Sequence, residues 1–500
     1  MVVVGAGAAG SVIAARVTEA NAREVLLLEA GPDYPDPAEL PRDLADGRRN
    51  SMRRHDWRFR HRPRPELPPI PFPRGRVVGG SSAVNTCIAV RGEVEDFEEW
   101  RARGLAEWSW PECLVAFKRL ERDLDFNDAW HGNEGPLPIR RHAPSELAPW
   151  QAGFLEACAE LGLPRSPDHN RPGATGAAPH AMNLIHGRRI SAAEAYLTGA
   201  VRDRPNLRVE AEVLVRRILF DGTRVRGVEV ERGDDVAVIA TKQVVLSAGA
   251  IQTPGILLRS GVGPRRELER LGVEKVALNE AVGARLLDHF GTALFFRPRR
   301  GVIDRGAALI QVALRTRSQR SAIPNDLQLQ PGSIVPLPWF ELPLVSIMCP
   351  LGKPHGTSTL SWPTADPHEQ PLIRSAYFED PRDLALALEA MAMARALGET
   401  RALRGLASLV LPSSRTVRDP AAHARWIRRL CDSGYHPCGT VPMGAEEDPS
   451  AATDGRGRLR GVSGLIVADA SLMPTIPTSN IHLATLMIGE RFGEWLRGAG

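Results

Sequence analysis

Apolar and polar positions in this chain follow two periods, and each change of period marks an element boundary. Three valines (Val2–Val4), a glycine-spaced turn, an Ala-rich stretch from Ser11 to Ala20 and an apolar run from Val25 to Leu28 predict strand, helix and strand. Helical spacing returns over Cys113–Leu124, Gln151–Gly162, Ile190–Leu197, Asp383–Leu397 and about Leu483–Trp495. Between Leu207 and Glu231 the pattern is that of strands broken by an Asp221-Gly222 turn, and residues up to Leu246 continue the same sheet. A Gly/Ala turn follows at Ser247–Ala250, with a helix start expected at Thr253-Pro254, since Thr can cap and Pro suits the first helical position. Residues 31–73 carry proline, arginine and aspartate with little periodicity and read as loop.

The first thirty residues have the form of a dinucleotide fingerprint. Gly5 permits the tight turn off the strand, Gly7 lets the backbone approach a pyrophosphate, and Gly10 lets the helix pack close to the strand. The helix N-terminus brings its partial positive charge to the phosphates. Glu29, 19 residues after Gly10 and followed by Ala30, stands where a carboxylate binds both ribose hydroxyls and repels a 2'-phosphate, which disfavours NADP. This stretch alone leaves FAD and NAD both open; NAD as working cofactor would need a second dinucleotide fold, and no second fingerprint occurs in the sequence.

Composition narrows the rest. At 500 residues, 43% hydrophobic and 24% charged, the chain has the make-up of an ordinary globular protein with two large domains or several small ones. The net charge of +4 comes from scattered arginines, with lysine only at 118, 242, 275 and 353, so nucleic acid is not an expected partner. Six cysteines lack CxxC or zinc-like spacing and read as reduced thiols. No apolar run is long enough to span a membrane and no leader segment is expected ahead of the first strand, so the expected location is the cytoplasm. His131 reads as structural, and His169 and His180 lie on no regular element, so no metal site is expected.

Two further stretches carry a family resemblance. Gly75, Arg76, Gly79, Gly80, Ser81, Ser82, Asn85, Ala89 and Gly92 match the first signature of the glucose-methanol-choline (GMC) oxidoreductases, and Gly249, Ala250, Thr253, Pro254, Ser260, Gly261 and Gly263 match the second. The paired glycines and serines of the first would wrap a donor-rich backbone round a second face of the cofactor. The chain thus resembles an FAD enzyme with an α/β fold: a Rossmann-like FAD-binding domain (1–145, 186–289 and 431–500) and an α+β substrate-binding domain (146–185 and 290–430) on an antiparallel sheet backed by helices. The resemblance sets Asn85, Thr86, Cys87 and Ile88 against the flavin ring, with Val77, Gly79, Gly80 and Ser81 around the approach. It also puts the Val213 backbone at the adenine and Ala248 near the cofactor. Some members link flavin to a histidine before the asparagine; Val84 stands there, which implies noncovalent FAD. Asp288 and His289, in the stretch that closes the FAD domain, are read as structural.

The last seventy residues carry the candidate chemistry. Asp469 and Ala470 follow an apolar strand and are expected at the pyrophosphate or ribityl chain, and Thr478, Ser479 or Asn480 can cap a final helix aimed at the flavin. His436, in His436-Pro437-Cys438-Gly439-Thr440, and His482, two residues after Asn480, fit the family's two active-site positions. An alcohol yields hydride to flavin N5 only as its hydroxyl proton leaves, so a neutral imidazole is a suitable base. His436 is assigned as that base and His482 as the hydrogen-bonding partner; the reverse stays open, since two imidazoles in one site titrate together. The resemblance implies oxidation of a small-molecule alcohol to an aldehyde or ketone, with oxygen, a quinone or another carrier as electron acceptor. Hydroxynitrile lyases and fatty-acid photodecarboxylases share the fold and form the alternative reading. Trp339, Phe340 and Trp362 are candidate walls of a substrate cavity.

Overall fold

The computed structural model describes residues 1–19, 23–337 and 339–498. In chain order the elements that matter for the site are β1 (Val2–Val4), α1 (Ala8–Val17), β2 (Val25–Leu28), α2 (Val94–Ala102), α3 (Pro149–Glu160), β3 (Gly176–Pro179), β4 (Leu207–Glu210) and β5 (Val244–Leu246). They continue with α4 (Gly249–Arg259), β6 (Phe290–Pro298), β7 (Val312–Thr316), β8 (Leu327–Gly332) and β9 (Val345–Pro350). The last are α5 (Pro381–Gly398), β10 (Ala407–Leu411), β11 (Leu465–Val467) and α6 (Ile481–Gly498).

Five strands form a parallel sheet in the order β4-β2-β1-β5-β11, with Val3 paired to both Leu27 and Val245. The central strands β1 and β5 are wholly apolar and buried, as strands covered on both faces of a parallel sheet are. A second sheet is antiparallel, in the order β10-β6-β9-β8-β7-β3, with α5 and α3 packed on it. Each sheet has its own apolar core, one drawn from residues 2–28, 78–139, 181–282 and 438–496, the other from residues 150–177 and 290–431.

The C-terminal helix α6 lies along α1. A Cβ on Gly489 would come within 2.8 Å of Val12 Cβ and 3.0 Å of the Ala9 carbonyl, so the two helices approach at backbone distance. Glu490, fully buried, ties them together by accepting from Arg16 and from the Tyr196 hydroxyl at 2.7 Å. The first turn of α6 is thereby fixed relative to the glycine turn before α1.

Several boundaries differ from expectation. Helix α1 runs from Ala8 to Val17, and Ala20 lies outside the described residues. The helix expected over Cys113–Leu124 spans Trp110–Leu120, because residues 121–123 pair with Leu137–Ile139 as a short strand. The strands from Leu207 to Leu246 divide between two sheets: β4 and β5 join the parallel one, while Leu214–Asp221, Arg224–Arg232 and Asp235–Ala240 form a separate antiparallel meander. Helix α4 begins at Gly249, leaving Pro254 inside it. Proline cannot donate to the Ala250 carbonyl four residues back. The Thr440 hydroxyl does so instead at 2.7 Å, and Thr253, freed from capping, donates to Asp469.

Candidate active site

A cavity of about 550 Å³ runs between the two sheets, within the size range of cofactor and ligand sites. At one end Gly5, Gly7, Glu29, Ala30, Gly80 and Ser81 line it. A Cβ on Gly80 would sit 2.7 Å from the Gly7 Cα, so the two signatures meet as bare backbone. Gly7 caps α1 with no side-chain acceptor, which leaves the first-turn N–H groups for a ligand. Glu29 accepts from the N–H groups of Ala6 at 3.0 Å and Gly31 at 2.9 Å, while burial pushes its carboxyl up to about 7. Val213 and Ala248 line the same end, and Val84, Asn85, Thr86 and Ile88 line the middle. A backbone cradle, unused helix N–H groups and an acid at the strand tip fit a dinucleotide.

Four residues of the expected cofactor set stand behind the wall, Gly10 in the packing role expected of it. Gly10 is buried below the turn, where a Cβ would lie 1.9 Å from the Gly5 carbonyl, so its absence of a side chain serves packing. Val77 belongs to a small apolar cluster with Leu44 and Ala83. Gly79 shapes the turn, its N–H donating to Ala6 at 2.7 Å. Cys87 is turned toward the Gly47 carbonyl, away from the cavity, and burial pushes its thiol up to about 11.

Asp469 and Ala470 line the cavity after β11. The Asp469 carboxylate is fully engaged by the protein: it accepts from Gly249 N–H at 2.8 Å, the Thr253 hydroxyl at 2.6 Å and Ser471 N–H at 2.8 Å. It therefore anchors α4 rather than offering charge to a ligand.

The histidines converge where the sheets meet. His436 ring nitrogens lie 2.9 Å from His289 Nδ1 and 3.0 Å from Asn480 Nδ2, and its backbone N–H donates to Asp288 at 2.8 Å. Burial, with neighbouring His289 and Arg74, holds the His436 imidazole well below its ordinary range. His482, in the first turn of α6, lines the same cavity and is lowered to about 4 by burial; its Nε2 is buried with no hydrogen-bond partner among the described residues. Both rings are thus neutral at pH 7, the state that can accept a proton. Among the described residues no group of three or more His, Cys, Asp or Glu is arranged to hold a metal.

A family model described as GMC oxidoreductase matches residues 1–291, and a second of the same description matches residues 354–489. The chain is 34% identical to a 5-(hydroxymethyl)furfural oxidase of Methylovorus sp. over 99% of its length and 97% of the relative's. It is 32% identical to the human mitochondrial choline dehydrogenase, covering 99% and 89%. The crystal structure of a pyridoxine 4-oxidase superposes with a TM-score of 0.92 at 32% identity, covering 99% of this chain and 98% of that one. The chain belongs to the GMC oxidoreductase family. It is therefore an oxidoreductase of the GMC fold, a family that uses FAD, and the parallel and antiparallel sheets are the two halves of that fold.

Within this GMC enzyme the structure adds what the sequence reading missed. Asp288 and His289 do join the two halves, but His289 also reaches the cavity and hydrogen-bonds His436. Asn480, expected as a helix cap and cofactor residue, also places its side-chain amide 3.0 Å from the His436 ring. A signal for His289 was present: two titratable residues open an apolar strand at Phe290, where burial demands a partner for each. The aromatic walls expected at Trp339, Phe340 and Trp362 are absent. Trp339 and Phe340 are 72% and 58% exposed at a hairpin tip, and Trp362 is buried against Gly255 in a separate cluster.

Proposed function

We propose that this chain oxidises the CH–OH group of a small-molecule alcohol to an aldehyde or ketone with noncovalently bound FAD, His436 acting as the base. The observation that carries the reading is a buried neutral imidazole opening on the cavity beside a second, unpartnered one at His482. The chemistry FAD supplies when bound is acceptance of the hydride from the alcohol carbon. His436 takes the hydroxyl proton as that hydride departs, and the His482 ring, which lines the same cavity, is the group available to orient the hydroxyl. The apolar Val84 on the cavity wall offers no covalent link to a flavin. Residues 1–145, 186–289 and 431–500 serve the cofactor, and 146–185 and 290–430 the substrate; the two separate cores support this division.

The substrate end is mainly apolar, with Met348, Ile310 and Ile334 beside the amides of Gln328 and Gln330. That mixture suits a small ring bearing polar groups, as 5-(hydroxymethyl)furfural and pyridoxine, named for two relatives, would be. Six buried free thiols and no helix, among the described residues, long and apolar enough to cross a membrane support a cytoplasmic setting.

Anaerobic absorbance of the yellow protein against a panel of aliphatic and aromatic alcohols tests the reading. Bleaching by one class names the substrate, and recolouring in air separates oxygen from a quinone or other carrier as acceptor. His436→Ala should keep the flavin and slow its reduction by about 10²- to 10⁴-fold; full retention of the rate would overturn the assignment. Because burial lowers the His436 pKa, the base form persists to lower pH, so the reduction rate should fall only well below the ordinary histidine pKa of about 6.5.

A further inference from the structure

The hydrogen-bond chain behind His436 dictates where its proton sits. His289 Nε2 lies 3.0 Å from the Gly352 carbonyl and 2.9 Å from the Pro477 carbonyl. Carbonyl oxygens only accept, so Nε2 carries the hydrogen. Burial lowers His289 to about 4, so the ring is neutral and holds a single N–H, which leaves Nδ1 as a lone pair. Its partner 2.9 Å away is His436 Nδ1, which must therefore donate. His436 then has its one hydrogen on Nδ1 and a bare Nε2. That nitrogen faces Asn480 Nδ2 at 3.0 Å, an amide that donates, so both ends of the chain demand the same arrangement.

We propose that His289 is a positioning residue: it locks the His436 tautomer with the proton on Nδ1, leaving on Nε2 the lone pair that takes the substrate hydroxyl proton once that hydroxyl displaces the Asn480 amide. This rests on the role given to His436 above. The two carbonyls come from distant segments, the turn after β9 and the stretch before α6, so the lock closes only when both halves of the molecule are assembled. The rings meet edge to face, centroids 5.0 Å apart at 84°, with one Nδ1 aimed at the other, and a 180° turn of either ring would replace its Nδ1 with a carbon and break the pair. In the oxidation step the substrate O–H bond breaks as the N–H bond at His436 Nε2 forms. The resulting imidazolium keeps Nδ1–H donated to the His289 lone pair.

The test uses FAD-loaded protein labelled with [15N]histidine at neutral pH, read by long-range 1H–15N correlation and assigned with His436→Ala. Wild type should show His436 Nε2 as the unprotonated nitrogen and Nδ1 as the protonated one. His289→Leu removes the acceptor and should mix the tautomers and slow flavin reduction by alcohol at least about tenfold. His289→Asn can return an oxygen acceptor to the Nδ1 position and should recover most of both readouts. A purely structural role would impair both variants alike. Nε2 protonated in wild type, or a Leu variant with unchanged tautomer and rate, would overturn the proposal. If no alcohol bleaches the flavin, the wild-type spectrum still decides the tautomer, so the two readings fail separately.

Discussion

At the glycine end of the cavity the surface offered to a ligand is main chain, whereas at the end walled by the antiparallel sheet it is side chains. Gly7 meets Gly80 at backbone distance, and Glu29 is held by two N–H groups. On the opposite wall, Gln328 and Gln330 project from one face of β8, and Ser346 and Met348 from the same face of β9, with Gln330 paired across to Met348. A backbone surface tolerates almost no added atom. A side-chain surface can be repacked, which is how one fold accommodates many substrates.

The sharpest break of that contrast is Gly10→Ala. Its methyl would lie 1.9 Å from the Gly5 carbonyl, and both partners are main chain at the start of α1. Ordinary overpacking costs about 1–3 kcal/mol because side chains can shift; here nothing can, so no flavin-loaded folded protein should be recovered. Normal flavin content and thermal stability in this variant would show that the glycine end adjusts after all.

The seam between the regions comes next. Arg315 on β7, 1% exposed, pairs with Glu93 at the start of α2 at 2.6 Å and donates to the Thr478 carbonyl beside α6. Arg315→Ala leaves the buried Glu93 uncompensated, at about 3–5 kcal/mol. Chemical unfolding should register that loss, and the double variant Arg315→Met, Glu93→Met should recover most of it, since two apolar groups leave no stranded charge. A double variant as unstable as the single one would mean that the seam depends instead on the bonds Arg315 donates to the carbonyls of Thr478 at 3.1 Å and His169 at 3.3 Å.

The same contrast explains what could be read before the fold was known. Gly5, Gly7, Glu29 and Gly80 announce themselves because a local turn, a close approach or a strand end restricts the residue type. That His436 and His482 reach one cavity was legible by the contexts around them. The lock formed by His289, Gly352 and Pro477 was not, because it joins three segments through carbonyls that any residue supplies. Pro254 misled for a related reason: proline breaks a helix only if the orphaned carbonyl finds no donor, and Thr440 comes from 190 residues away. Trp339 and Phe340 misled because a short apolar run reads alike on a wall and on an exposed hairpin.

That hairpin supplies the smallest and most discriminating effect. Val335 and Pro336 at its base line the cavity, while Trp339 at its tip is exposed and stacked under the Arg53 guanidinium at 4.0 Å. Trp339→Ser removes one exposed cation–π contact and should change stability by about 0.5–1 kcal/mol. Flavin reduction by the best alcohol should keep its rate and its substrate dependence, because no atom of the indole faces the cavity. If half-saturation instead moves several-fold at unchanged limiting rate, the hairpin closes over bound substrate, and the side-chain wall extends beyond the sheet to a segment whose resting position is outside it.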